Sequence, residues 1–294
     1  MKILGIIHGN RKINSLHGSF FEACKADPSL EVSLKKTEFS GHAKSMACEG
    51  KFLYEMIIIH GGDGLINEVV NGLCSVPGKN PKIFLLPGGT GNDFIRNFKP
   101  GKYDLSSFTQ KLRQPGTIIP VPYCKTELEL RYFMNIADFG FGGHVVHSLD
   151  YFRQRLGTKA SYFLAVIKSF LSYKAPEFTL KFNETTHKKH FFMVAICHGS
   201  VFGDGMIIAP GNDPLQANFQ LVVLGNVSLW DYIKNLPKLR KGLRIKHPEI
   251  HYHNTQEVQL DSTRTLVNGE TDGEFIHGKH IQLGFSENKI EVCC

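Results

Sequence analysis

Two glycine-rich turns constrain this chain more than any other feature. Each closes an apolar run and opens a helical pattern. The first lies in "IIIHGGDGLINEVVNGL", residues 57–73. Ile57-Ile58-Ile59 gives way to Gly61, Gly62, Asp63 and Gly64, and apolar residues then recur at 65, 66, 69, 70 and 73 with the helical period. The second lies in "LLPGGTGNDFIRNF", residues 85–98, where Gly88, Gly89, Thr90, Gly91, Asn92 and Asp93 follow the strand-like "KIFLLP". In open α/β sheets, ligands collect beyond the carboxyl ends of the strands. Amides that lack a neighbouring Cβ let phosphate oxygens approach, and a nearby carboxylate can hold the Mg²⁺ that accompanies ATP. One such turn alone is also explained by tight turning, with Asp63 or Asn92 as a helix cap. Two in one domain favour a phosphate cradle. Neither is followed by GK[ST], so neither is a Walker A loop.

Around these turns the first 100 or so residues alternate strand and helix, as "KILGIIH", "SLHGSFFEACKA", "LEVSLKKTE", "GHAKSMACEG" and "YEMIIIH". That alternation implies a parallel sheet built by right-handed crossovers. Beyond Pro115–Pro122 the texture changes to short β-segments with turn signals, interrupted by one helical block at about 150–173. An antiparallel sandwich fits that pattern. The expected fold is therefore an α/β N-terminal domain with a parallel sheet and a mainly antiparallel β-sandwich second domain.

Charge and cysteines bound the function classes. The net charge of +7 allows an anionic partner without naming one. Seven scattered cysteines include no CxxC pair, which argues against a zinc or redox motif and suits a cytoplasmic protein. The run "MKILGIIHGN" is too short for a signal peptide, and no apolar run reaches membrane-span length. No basic-aromatic interleaving of the kind that binds single-stranded nucleic acid stands out, so no nucleic-acid partner is expected.

Taken in order, the motifs resemble the diacylglycerol kinase catalytic domain family, which is similar in fold to the sphingosine kinases and, more distantly, the NAD kinases. GGDGxxNEVVNGL is followed by PGGTGND. "TEFSGHAKSMA" (37–47) resembles the family's T-x(3)-GHA segment, and "NIADFGFGGHV" (135–145) its N-x-A-x-x-GFDA-x-V strand. "LGTKASYFLAVIKSF" (156–170), "GDGMIIAP" (203–210) and "TDGEF" (271–275) resemble its LG-x-x-AYFL, GGGM-x-x-AP and DGE segments. The resemblance implies an ATP-dependent lipid kinase acting on diacylglycerol or a similar lipid. Residues 1–120 with a returning C-terminal segment, 282–294, would bind ATP, and 121–281 would take the lipid. The nucleotide-binding residues it implies are Thr37, Gly61, Gly62, Asp63, Gly64, Asn67, Glu68, Gly88, Gly89, Thr90, Gly91 and Asn92. ATP would bring Mg²⁺. Glu274 of the DGE motif would take the proton of the lipid hydroxyl, with Asp93 or Asp272 beside it. A second acid, in "NGE" at 268–270, lies four residues upstream; distance to the C-terminus favours Glu274. The lipid would be met at a membrane surface by peripheral contact, and a homodimer is left open.

The chain also departs from the family pattern. The N-P-x-S-G turn is "HGNRK" (8–12), Leu65 replaces a Thr after GGDG, Pro120 replaces an Asp, and the Asp of GFDA is replaced by a glycine, read as Gly143. Gln216 stands where some members hold a structural Mg²⁺, and would hold it poorly. Leu65 keeps a sphingoid-base or ceramide kinase in play, and the departures together keep a catalytically impaired nucleotide- or lipid-binding homologue in play. Outside the site, "KNLPKLRKGLRIKH" (234–247) reads as either a solvated basic face or a patch for anionic headgroups. "YFLAVIKSFLSY" reads as core in preference to an acyl groove. The histidines of "HPEIHYHN" read as an exposed strand face in preference to a metal site.

Overall fold

A computed structural model describes residues 1–98, 104–153 and 158–294. By contact density the chain divides into two units, Met1–Val121 with Ser286–Cys294, and Pro122–Phe285.

The first unit runs β1 (Lys2–Ile7), α1 (Ser15–Ala26), β2 (Glu31–Lys36), α2 (His42–Gly50), β3 (Met56–Gly61), α3 (Asp63–Cys74), β4 (Lys82–Pro87), α4 (Asp93–Arg96) and α5 (Leu105–Arg113). Its strands lie in the order β2-β1-β3-β4 and pair in parallel. The order reverses between β1 and β3, the kind of switch point at which the loops beyond the strand ends part to admit a ligand. β3 is buried along its whole length, which explains an unbroken apolar run in place of alternation. Ile3, Phe20, Ile58, Phe84 and Phe108 pack into one core on one face of this sheet. Each large side chain buried there contributes roughly 1.5–3 kcal/mol. α2 and α3 cross closely because residue 72 is glycine: an added Cβ would meet the Lys44 carbonyl oxygen at 2.2 Å.

The second unit takes in part of β5 (Thr117–Lys125), then β6 (Leu130–Tyr132), β7 (Ile136–Gly140), α6 (Phe141–Arg153), α7 (Thr158–Ser172), β8 (Glu177–Phe182), β9 (Thr185–His190), β10 (Met193–Cys197), β11 (Val201–Phe202), β12 (Met206–Ile207), β13 (Phe219–Leu224), α8 (Leu229–Arg240), β14 (Ile250–Thr255), β15 (Val258–Asp261), β16 (Val267–Thr271), β17 (Glu274–Gly278) and part of β18 (His280–Cys293). One sheet has the order β14-β13-β10-β7-β16-β17 and is antiparallel throughout. Phe133, Phe139, Phe178, Ile196, Phe219, Leu260 and Leu283 form a core that joins it to the β8-β15-β18 layer, a sandwich. β18 pairs antiparallel with β15 in this unit, and its last residues, Val292 and Cys293, pair in parallel with β4 in the first.

Three local expectations change. The single helical block at 150–173 is two helices, and the first starts at Phe141, where the sequence reads as strand. Gly140, at φ +107°, ends β7 in a conformation that other residues rarely adopt and so turns the chain directly into α6. Leu156 and Gly157 of the LG-x-x-AYFL segment lie outside the described residues. Farther along that segment Ala165 and Val166 are core, whereas Leu171 is 80 % exposed. The histidines at 251 and 253 do share an exposed strand face.

Candidate functional site

In the first unit both glycine turns sit at the carboxyl ends of neighbouring parallel strands, β3 and β4. Their backbones touch. A Cβ at Gly62 would lie 2.9 Å from the Gly89 Cα, and one at Gly89 would lie 2.4 Å from the Gly62 Cα. A Cβ at Gly61 would collide with Leu65, 2.5 Å away. Packing alone therefore accounts for two of the three glycines expected to admit phosphate. Gly61 and Gly62 are glycine because protein packs against them. Gly64, with nothing within 4 Å of an added Cβ, is the one whose missing side chain leaves open space.

Asp63 joins the two turns. Its carboxylate accepts hydrogen bonds from the Asp93 amide at 3.0 Å and the Phe94 amide at 2.9 Å, capping the short α4 from the opposite loop. Asn92 closes the second turn on itself, accepting from the Gly89 amide and donating to the Gly89 carbonyl. It adopts a left-handed φ of +51°, which asparagine tolerates. Asp93 is buried, with Arg96 at 3.7 Å. One oxygen of Asp63 and one of Asp93 each lie 3.5 Å from the Cβ position of Gly91, so the two carboxylates converge. The amino end of α3 carries no side-chain cap, which leaves its first amides for another acceptor.

The remaining nucleotide-site candidates surround this pair as supports. Glu68 accepts from the Gly41 amide at 2.9 Å and the Ala43 amide at 3.1 Å, tying α3 to the start of α2. Asn67 is buried and receives the Asn71 amide group. Thr37 accepts from the Gly9 amide at 3.0 Å and so positions the loop after β1. From that loop Arg11 donates to the Thr90 hydroxyl at 3.0 Å. The sequence reading saw residues 8–12 as a loss of pattern and missed a guanidinium placed on the second glycine turn.

The second unit holds the acids of the tail. β16 and β17 are joined by a two-residue turn at Asp272 and Gly273, both at positive φ, the geometry a tight hairpin requires. Asp272 turns its carboxylate to the backbone, accepting from the amides of Met134 (2.7 Å), Asn135 (2.9 Å) and Ile136 (3.1 Å). That anchors the turn to the chain before β7, and the Asp272 charge also acts on Glu270. Glu274 opens β17 and is exposed. Glu270, four residues upstream, is buried, accepts from the Gly273 amide, and stands opposite Asp138 of β7 in the ladder.

Glu270 and Asp138 are buried opposite each other in the ladder, so both cannot readily be ionised at once. Burial pushes Asp138 above the usual carboxylate range, against the pull of its bonds to Glu270 and to the Gly143 and Gly142 amides. Burial, then the charge of Asp138, raises Glu270 well above it. Two carboxyls sharing one proton are a recurrent way of keeping an acid-base group near neutrality. Beside them, Gly140, His144, Tyr173 and Asn268 line a cavity of about 240 Å³.

The helix that follows explains another departure. Laid along the strand, the family's GFDA places its Asp at Gly142, not at Gly143 as the sequence reading had it. A Cβ at 142 would lie 2.0 Å from Asp138 Oδ1, so the Asp138 carboxylate fills the space of a side chain there. Gly143 is glycine because α6 packs on β16, with an added Cβ 2.5 Å from the Gly269 Cα. Asp138 was missed in the sequence, although a lone acid inside the apolar "NIADFGF" is the signal of a buried polar group.

Comparison with known proteins now bears on both units. The model of the diacylglycerol kinase catalytic domain matches residues 4–124, and that of the YegS C-terminal NAD kinase beta sandwich-like domain matches residues 135–284. The chain belongs to the diacylglycerol kinase family of lipid kinases. It is 29% identical over 276 residues to a putative lipid kinase, YtlR, of Bacillus subtilis strain 168, covering 87% of each chain. It is 24% identical over 273 residues to a diacylglycerol kinase of the same strain, covering 89% of this chain and 88% of the relative. A putative diacylglycerol kinase from Bacillus anthracis str. Sterne superposes with a TM-score of 0.75 at 19% identity, over 99% of this chain and 97% of the other. An NAD kinase from Archaeoglobus fulgidus, solved in complex with ATP, shares the fold at a TM-score of 0.52 and 12% identity, over 99% and 92% of the two chains. In this lipid kinase, then, the glycine turns belong to the catalytic-domain match and the Asp138–Glu270 pair to the sandwich-domain match. Among the described residues no helix is long and apolar enough to cross a membrane.

Proposed function

We propose that this lipid kinase transfers the γ-phosphate of ATP to the hydroxyl of diacylglycerol or a similar lipid alcohol, as a peripheral protein at a cytoplasmic membrane surface. The observation that carries the nucleotide half is the Gly62–Gly89 contact. It brings two glycine turns, an uncapped helix start and two carboxylates to one rim of the parallel sheet. The amides at the start of α3, the open side of Gly64, and Arg11 with Thr90 are the groups we assign to the phosphates. Asp63 and Asp93 are the residues that would hold Mg²⁺. Among the described residues no group of three or more His, Cys, Asp or Glu could hold a metal ion. Two converging carboxylates fit an ion that takes its other ligands from phosphate and water. When bound, Mg²⁺ would neutralise charge on the phosphates.

For the lipid half we assign the proton acceptor to Glu270 in place of Glu274. Burial and the neighbouring Asp138 carboxyl raise Glu270 above the usual carboxylate range, which makes it a stronger base than an exposed carboxylate, whereas Glu274 is exposed at the start of β17. Gly269 before it packs on the Phe139 ring, 2.3 Å from an added Cβ, whereas Gly273 faces open space. The tightly built "GE" is thus the one at 269–270. In the reaction the lipid oxygen forms the new bond to phosphorus, the bond to the departing ADP oxygen breaks, and the hydroxyl proton passes to Glu270. Leu65 no longer speaks for a sphingoid base: its side chain is buried and packs on Gly61, inside the protein. All seven cysteines are free, which suits a reducing compartment. The test is transfer of labelled γ-phosphate from ATP to diacylglycerol, sphingosine and ceramide in mixed micelles. Label in diacylglycerol supports the proposal; label in a sphingoid lipid alone would overturn its substrate.

A further inference from the structure

The peripheral reading above leaves open which surface meets the membrane. We propose that the outer face of α8, led by Trp230 and Ile233 and flanked by Lys234, Lys238 and Lys241, docks on an anionic lipid bilayer. The proposal rests on the membrane half of that reading.

Position along the helix makes the first argument. Residues 230, 233, 234, 237, 238 and 241 are all exposed, and they recur at the spacing of a single helix face. At about 100° per residue they fall within roughly 140° of arc. The opposite face carries the buried Asn235 and Leu239. Leu239 packs with Met206 and Ile245, and with the half-buried Leu236, Tyr232 and Ile250. The helix is therefore seated, and its outer face is left uncovered.

Chemistry along that face makes the second. Trp230 is the chain's only tryptophan and is 70 % exposed; Ile233 is 46 % exposed. Leu243, just past the helix, is 53 % exposed. Large apolar side chains so displayed mark a contact surface. Lysines join them toward the carboxyl end of the helix, where Arg240, Arg244 and Lys246 are also exposed. The acid on this helix, Asp231, is partly exposed and engaged by its own cap: it accepts from the Ser228 amide and hydroxyl and lies 3.7 Å from His247. A tryptophan at headgroup depth beside a basic stripe is the pattern of an interfacial helix. Lysines and arginines outnumber the single acid of this helix, Asp231, whose charge is engaged by its cap and His247, and the net positive charge selects an anionic surface.

The lone tryptophan also supplies the assay. Wild-type protein is mixed with vesicles of phosphatidylcholine alone, or of phosphatidylcholine with phosphatidylglycerol. Sedimentation and tryptophan emission are followed together. With anionic vesicles the protein sediments, its emission moves to shorter wavelength, and added salt reverses both, since screening acts over about 8–10 Å. Lys234→Ala, Lys238→Ala and Lys241→Ala together weaken vesicle affinity on the order of a hundredfold. This is about fivefold per lysine, from ~1 kcal/mol each at 1.4 kcal/mol per tenfold. Turnover of a short-chain, monomerically dispersed diacylglycerol stays at the wild-type rate in that variant. Sedimentation with unmoved emission places the contact elsewhere and overturns the proposal, as does equal binding by the triple variant or none by the wild type. Neither vesicle readout needs turnover, so a chain that docks without phosphorylating lipid fails the kinase substrate reading and not this surface.

Discussion

The first glycine turn makes opposite demands on two of its glycines, and a pair of alanine substitutions separates them. Gly62 has an extended backbone that any residue can adopt, so its constraint is steric. Gly62→Ala places a methyl 2.9 Å from the Gly89 Cα. Backbone on both sides cannot rotate away, so the loops must part; overpacking of this kind costs roughly 1–3 kcal/mol. At about 2–4 °C per kcal/mol, the melting temperature should fall by several degrees. Gly64→Ala sits in the first turn of α3 with nothing within 4 Å. Relative to glycine it should stabilise the helix by about 0.5–1 kcal/mol. Its methyl nevertheless enters the space assigned to phosphate, so ATP affinity should fall about tenfold or more, a loss of at least ~1.4 kcal/mol. Thermal denaturation and isothermal titration with ATP read the two effects separately. A Gly64→Ala protein that is stable and binds ATP as the wild type does would refute the assignment of that space. An unshifted melting temperature for Gly62→Ala would refute the loop-contact argument.

Three further outcomes follow from the same geometry. Asp272→Ala leaves the amides of Met134, Asn135 and Ile136 without their acceptor, which should destabilise the second unit by roughly 2–4 kcal/mol in denaturant titration. Asp138→Asn removes the charge that, after burial, raises Glu270; the deprotonated base then persists to lower pH, and the acid limb of the pH–rate profile moves to lower pH. Arg11→Ala, which loses the bond to Thr90, should raise KM for ATP several-fold in steady-state kinetics and leave KM for the lipid unchanged.

Strands and helices of the first unit were legible because each periodic run is bounded by its own stop signal. α1 begins after Asn14, whose side chain caps it, and β3, apolar from Met56 to Ile59, is a buried strand. The candidate nucleotide turns were legible for the same reason. What glycine does within them was not. Gly62 and Gly64 look alike in a sequence, and only the approach of Gly89, 27 residues away, tells packing from open space. The tail reads two ways in the sequence because two acids follow glycine within five residues, and distance to the C-terminus cannot tell a turn from a packed strand. Pairing with β7 is what favours Glu270, and that partner lies more than a hundred residues upstream. Arg11 was hidden by its loop, which carries no periodicity and takes its position from Thr37 of the next strand's end.

The assignment of Glu270 as the proton acceptor is tested most directly by two variants measured side by side, Glu270→Gln and Glu274→Gln. Each is assayed for ATP affinity, for folding by circular dichroism, and for the rate of γ-phosphate transfer to diacylglycerol at saturating substrate. The account predicts that both fold and bind ATP. Glu270→Gln should transfer phosphate about 10²–10⁴ times more slowly, while Glu274→Gln should stay within a few-fold of the wild type. A folded Glu270→Gln protein with wild-type turnover, or a large loss confined to Glu274→Gln, would contradict it.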